Sequence, residues 1–390
     1  MRTIWMNLLL FGVAMSIAGC KNSTEKKEMA ADSTATVSKM PMEPQTFGKL
    51  PDGREVKSYV LKNKNGIEMH VINYGGIVTH LKAPDKNGTL EDIVLGYDSL
   101  EAYVKNSPFF GALIGRYGNR IANGKFTLDG TEYTLVQNNN GQHLHGGTQG
   151  FDKVFWNIEP LESEEGQALR LTYLSKDMEE GYPGNLSAQV DYILTDDNEW
   201  IINYEATTDK KTIVNLTQHT YFNLSGNVKR DILDHELVIH ADQYVPVNKV
   251  LIPTGKLAPV SGTPFDFNTS TVVGKRIDNA DEQLKIAGGY DHCWVLSSPD
   301  SVKSAAVLSD PGSGRVIEVF TTEPGIQFYS GNFLNKSYVG KDGVVYDHRF
   351  GLCLETEHYP DSPNQPNFPS VVLNPGETYK TQTIYKFSVK

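Results

Sequence analysis

Short runs in which apolar and polar residues alternate recur from about residue 56 to the C-terminus, among them 67–74, 168–174, 188–194, 200–206 and 379–389. A period of two places every second side chain on one face of an extended chain, so each run predicts a half-buried β-strand. Turn signals separate the runs. Asp129-Gly130 divides Lys-Phe-Thr-Leu from Thr-Glu-Tyr-Thr-Leu as a two-residue hairpin loop does, and Asp196-Asp197-Asn198 divides two further runs. The single helix predicted is short, near residues 99–105. Strands following strands without intervening helices disfavour a parallel α/β sheet and predict an all-β fold, a large antiparallel β-sandwich. No internal repeat and no linker divides residues 50–390.

The first forty-five residues read differently. Arg2 precedes an apolar stretch, residues 4–18, that ends in Ile17-Ala18-Gly19-Cys20. That is the layout of an export signal, too short to span a bilayer comfortably, and its last four residues resemble a bacterial lipobox. The expectation is a lipoprotein signal peptide over residues 1–19 and a lipidated Cys20 that becomes the new N-terminus. From Lys21 to about Gln45 the chain is rich in Lys, Glu, Ser, Thr, Ala and Met without any period, which predicts a disordered tether over 20–45 ahead of a globular domain over 46–390. The protein is thus expected to be exported and held on a membrane through Cys20, facing the periplasm or the cell surface.

Composition changes this picture little. The formal net charge of −11 comes without a clustered basic stripe, which argues against a nucleic-acid partner. Once Cys20 carries lipid, Cys293 and Cys353 are the mature thiols.

Four islands pack polar, titratable and glycine residues into stretches that otherwise read as strands. The first, residues 111–122, contains Arg116 and Asn119-Arg120; a planar guanidinium beside an amide suits paired hydroxyls, although an Arg between apolar residues also serves as a structural partner. The second is His143-Leu144-His145-Gly146-Gly147. His-x-His is a metal spacing, but nothing nearby in sequence completes a metal site, so His145 is read as a donor to a ligand oxygen, with the glycines admitting close approach. In the third, residues 215–224, His219 and Tyr221 share a strand face and aim a proton carrier and a phenol into one space. The fourth, residues 351–364, carries Glu355 and Glu357 at the end of an apolar strand that runs into a proline-rich loop. Each island taken singly is also compatible with core or solvated-edge roles.

Together the strings GxxxGRxxNRIAxGxF, LHGGxxGFDKxxW, NLTxHxYFNL and CLETxxxPDxxNxPxF, in this order and spacing, resemble the aldose 1-epimerase (galactose mutarotase) family across nearly all of residues 50–390. The resemblance implies a large antiparallel β-sandwich, of the supersandwich type, with an open sugar-binding groove on one sheet. It implies Glu355 as general base and His219 as general acid. Sugar-binding roles carry over to Asn119, Arg120, His145, Tyr221, Asp291 and Gln327. The substrates implied are free hexoses such as galactose and glucose, converted between α and β anomers, and the enzyme is expected to be a monomer. No cofactor and no catalytic metal is implied; a structural calcium ion is left open.

The absence of a phosphate-gripping loop favours unphosphorylated sugars. Two other readings compete: a non-catalytic sugar-binding lipoprotein, and an epimerase of a modified or phosphorylated sugar. One position departs from the family pattern, with Glu357 where many members have Gln. On a strand it shares a face with Glu355, so either it turns away or it raises proton affinity locally. Trp156 is weighed as a sugar platform against a place in the core. Cys293 and Cys353 each share a face with a site acid, Asp291 and Glu355, and are expected to be neighbouring, free, buried thiols rather than a disulfide.

Overall fold

The computed structural model describes residues 43–297 and 301–390; the expected signal peptide, Cys20 and nearly all of the expected tether lie outside the described residues. The first strand, Gln45–Lys49, begins at the last residue of that tether. No described helix is long and apolar enough to cross a membrane.

Three antiparallel sheets dominate. A nine-stranded sheet takes the long alternating runs, with Gly166–Ser175, Leu186–Thr195, Glu199–Thr208 and Tyr379–Val389 side by side near its middle. A six-stranded sheet contains, in order from one edge, Tyr221–Phe222, Leu352–Glu357, Gly325–Tyr329 and Asp291–Val295. A five-stranded meander covers residues 45–92. The Asp129-Gly130 hairpin forms as expected: Leu128 pairs with Thr131, and both loop residues have positive φ, 48° and 80°, the signature of a type I′ turn.

Alternation in the six-stranded sheet decides what faces what. Leu352 and Leu354, Ile326 and Phe328, and Trp294 point into one large core together with Leu169, Leu171, Trp200, Ile202 and Tyr385 of the nine-stranded sheet. Polar ties bind the two layers, with Tyr385 Oη donating to Leu354 O at 2.8 Å and the Thr356 and Thr383 hydroxyls 2.6 Å apart. The remaining residues of the same strands, Cys353, Glu355, Glu357, Gln327, Asp291 and Cys293, occupy the opposite face. One face of these strands is thus committed to the core by its large apolar side chains, and the other is free to carry chemistry.

Among the described residues two α-helices form where one was expected. Leu100–Asn106 is capped by Ser99 Oγ. Glu282–Ala287 is a correction to the sequence reading: Asp281 caps its first turn and Gly288, at φ 68°, ends it. Both signals are local and visible in Asp-Glu-Gln-Leu-Lys-Ile-Ala-Gly, but six residues are too few for a helical period to stand out.

Trp156 belongs to the core: it is 1% exposed, donates Nε1–H to Phe151 O at 3.1 Å, and meets the Phe151 ring edge-on.

Candidate active site

Strand register sets the floor of the site. Glu355 pairs with Gln327, which pairs in turn with Cys293; one step along, Cys353 pairs with Tyr221 on one side and Tyr329 on the other, and Tyr329 pairs with Asp291. Glu355, Gln327 and Asp291 therefore lie on one surface across three adjacent strands. His219 arrives from a different pairing, at the end of Thr217–His219 opposite Ala112, and its ring stacks on Tyr221 at 5.1 Å, so the expected shared face of His219 and Tyr221 is realised.

Arg120 lies in the paired segments Arg120–Ile121 and His143–Leu144, and Asn119 and His145 flank them. Asn119 N–H donates to His145 Nδ1 at 3.1 Å, and His145 N–H returns a bond to Asn119 O at 3.0 Å. Both residues sit at positive φ, 59° and 49°, a conformation costly for side chains larger than Gly and concentrated at functional sites. Asp361 fastens this piece to the end of the Leu352–Glu357 strand: its N–H donates to Arg120 O at 2.7 Å and its carboxylate accepts from Ala122 N–H at 2.9 Å.

All eight expected site residues converge, and all are 2 to 7% exposed. The His145 and His219 rings meet at 5.0 Å, nearly perpendicular. His219 Nε2 lies 3.6 Å from Glu355 Oε2, too long for a direct hydrogen bond and suited to two oxygens on one carbon placed against the pair. Gln327 Nε2–H donates to Asp291 Oδ1 at 2.7 Å, and Arg120 stands 3.7 Å from Asp291 Oδ2. Several buried polar atoms here have no protein partner among the described residues, namely Arg120 Nε, Gln327 Oε1, Glu355 Oε2, Glu357 Oε2 and Thr217 Oγ1. Buried polar groups are almost always satisfied, so such a concentration marks a surface built for a polar ligand.

Burial controls the charges. It pushes the Glu355 carboxyl well above the ordinary carboxylate range; the Asp291 charge adds to the effect and Arg120 opposes it. It lowers His219 to about 3. His145 is held well below the usual imidazole value, first by burial and then by His219 and Arg120. Burial thus disfavours the charged form of each group, carboxylate and imidazolium alike.

His145, His219 and Glu355 also offer three ligand atoms within 4.8 Å of one another. His145 does not fit a metal, however. Its Nδ1 lone pair is taken by Asn119 N–H, which puts the proton of the neutral ring on Nε2 and makes that atom a donor rather than a ligand.

Two expectations, on the glycines and on the thiols, are corrected, and two open readings, on Arg116 and Glu357, are resolved. Gly146 and Gly147 do not open space for a ligand: a Cβ on Gly146 would fall 1.8 Å from Gly115 O, and one on Gly147 would strike the Glu180 carboxylate, so the glycines admit the chain's own packing. Cys293 and Cys353 are free and buried as expected, but they are not neighbours, because the Gly325–Tyr329 strand runs between theirs and they pack in separate clusters. Arg116 is structural, its guanidinium spent on Ser175, Lys176, Pro183 and Gly184. Glu357 does not turn away: it is fully buried, and its Oε1 accepts from Asn119 Nδ2 at 3.0 Å.

Sequence reasoning missed Phe109. Its half-buried ring lies 4.7 Å from His145 and 5.5 Å from His219, walling the histidine side of the site. The Phe109-Phe110 doublet was the available signal, but the positive φ of 67° that turns Phe109 to the site while Phe110 enters the core is not written in any period.

The family model described as aldose 1-epimerase matches residues 57–386. The chain is 45% identical over 343 residues to the galactose mutarotase of Bos taurus, covering 88% of this chain and 97% of that protein. It is 40% identical over 346 residues to the aldose 1-epimerase of Escherichia coli K12, covering 88% and 98% respectively. Among solved structures, the galactose 1-epimerase of Lactobacillus acidophilus NCFM superimposes with a TM-score of 0.78 at 28% identity, over 89% of this chain and 99% of that one.

Proposed function

The chain belongs to the aldose 1-epimerase family and is a mutarotase, and from that premise we propose that Glu355 and His219 open and reclose the sugar ring while Asn119, Arg120, His145, Tyr221, Asp291 and Gln327 hold it. The observation that carries this reading is the 3.6 Å approach of an unpartnered Glu355 Oε2 to His219 Nε2 at the focus of the other six.

In a cyclic aldose the anomeric carbon bears both a hydroxyl and the ring oxygen. Glu355 takes the hydroxyl proton, that oxygen's electrons form the carbonyl, the bond from carbon to ring oxygen breaks, and the ring oxygen takes a proton from His219 Nε2. Rotation about the first carbon–carbon bond presents the other face, and the same transfers in reverse close the ring. The proton that leaves His219 is matched by the one gained at Glu355, so the open-chain stage coincides with a protonated carboxyl and a neutral ring, the form that burial favours. Each positioned transfer contributes on the order of 10²–10⁴ in rate.

The binding set mixes donors and acceptors, as hydroxyl groups require. His145 Nε2–H and Arg120 Nε donate, and Gln327 Oε1 accepts. The substrates supported are free hexoses, galactose and glucose among them. No step calls for a cofactor, and the protonation of His145 supports a site without a catalytic metal. All eight side chains come from one chain, which supports a functional monomer. Export and a lipid on Cys20 are further parts of the proposal, supported by the residues 2–20 pattern.

Polarimetry of freshly dissolved α-galactose and α-glucose with the purified protein tests the activity. The rotation is expected to relax faster in proportion to protein added. Relaxation at the spontaneous rate, with sugar nonetheless bound, supports the non-catalytic binder instead.

A further inference from the structure

For His219 to deliver a proton from Nε2 and take it back, the other ring nitrogen must keep its own proton throughout; a ring that settles with its proton on Nε2 has no lone pair there for the return step. Something must therefore hold Nδ1–H. The groups around this ring are the Phe109, His145 and Tyr221 rings, the Glu355 carboxyl on the Nε2 side, and Cys353. Cys353 Sγ lies 3.5 Å from Nδ1, an ordinary length for a hydrogen bond to sulfur. The other acceptor beside Nδ1 is the carbonyl of His219 itself, which already accepts Gly111 N–H at 3.1 Å.

The placement of Cys353 is set by the same alternation that places the base. It stands two residues before Glu355 on one strand face, opposite Tyr221, and is wholly buried. Burial, followed by the charges of Glu355 and Asp291, raises its thiol, so the sulfur stays neutral beside the ring and does not trap an imidazolium as a thiolate would. We propose that Cys353 is a positioning residue: its sulfur accepts Nδ1–H of His219 and so reserves Nε2 for proton exchange with the sugar. The acid and base are then tuned from one strand, the carboxylate acting on the sugar directly and the thiol acting through His219.

This deepens the reading given above and rests on His219 exchanging the proton of the ring oxygen. A His219→Asn protein that keeps full turnover removes that reading itself, whereas the comparison of variants at Cys353 tests only the present step. Serine keeps an acceptor at this position but is the poorer residue for an apolar pocket; alanine packs better but accepts nothing. Packing alone therefore predicts that Cys353→Ala performs at least as well as Cys353→Ser, and positioning predicts the reverse. The expected result is a kcat lowered about 10-fold in Cys353→Ala with KM nearly unchanged, and held within about threefold of wild type in Cys353→Ser. Nitrogen-15 shifts of His219 are expected to show the neutral ring protonated on Nδ1 in the wild type and redistributed toward Nε2 in Cys353→Ala. Equal or better turnover of the alanine variant, or a wild-type ring protonated on Nε2, overturns the proposal.

Discussion

Glu357 shows how one residue reports on the environment of the whole site. It faces inward beside Glu355, bound by Asn119, and its carboxyl is raised well above the ordinary range, first by burial and then by the Glu355 charge. The folded protein therefore keeps a proton that the unfolded chain releases above its ordinary value of 4.5. A raised carboxyl favours unfolding as pH climbs from that value toward the native one, so its cost is absent in acid and grows toward neutrality. Glu357→Gln keeps the shape and the acceptor for Asn119 but cannot ionise. Its melting temperature is expected to match that of the wild type near pH 4 and to exceed it increasingly toward pH 8, as thermal unfolding across pH measures. A difference that does not change with pH means that Glu357 is already ionised in the folded state.

At the level of elements, the site is an intersection of long strands that periodicity reveals and very short ones that it does not. The run ending in Tyr379–Val389 and the strands from Gly166 to Thr208 were legible because ten or so alternating residues leave no other reading. Arg120–Ile121, His143–Leu144 and Tyr221–Phe222 are two residues each, and two residues have no period. Their side chains were found through the motif strings, and the three-dimensional reasons for the strings emerged only with the structure. The Gly146-Gly147 pair is the clearest case, since glycine for close approach was legible but the approaching partner was not. Gly146 at φ 81° supports the turn that presents His145. Gly146→Ala is expected to cost about 2 kcal/mol or more in stability and to raise KM by displacing His145, because the obstructing atom is backbone that has little room to yield. Unchanged unfolding and an unchanged KM contradict this account of the turn. The thiols show the limit in the other direction: their strand faces were legible, but which strand separates theirs is a matter of sheet order that no local pattern encodes.

At the scale of the whole molecule, a layered body turns one face of its six-stranded sheet toward sugar chemistry and is proposed to be carried to a membrane by residues that precede it. Replacing Cys20 with Ser is expected to abolish incorporation of labelled fatty acid and release the protein in soluble form at unchanged turnover, since no site residue lies before Phe109. A wild-type protein found entirely in the cytoplasm contradicts export. Within that body, two buried groups, displaced in opposite directions by the same burial, are proposed to pass one proton through the sugar. The most direct test is the mutarotation rate of Glu355→Gln, read by polarimetry alongside sugar affinity. A fall of at least about 10²-fold is expected, with binding held within a few-fold, because the amide fills the same space but takes no proton. A wild-type rate in that variant contradicts it.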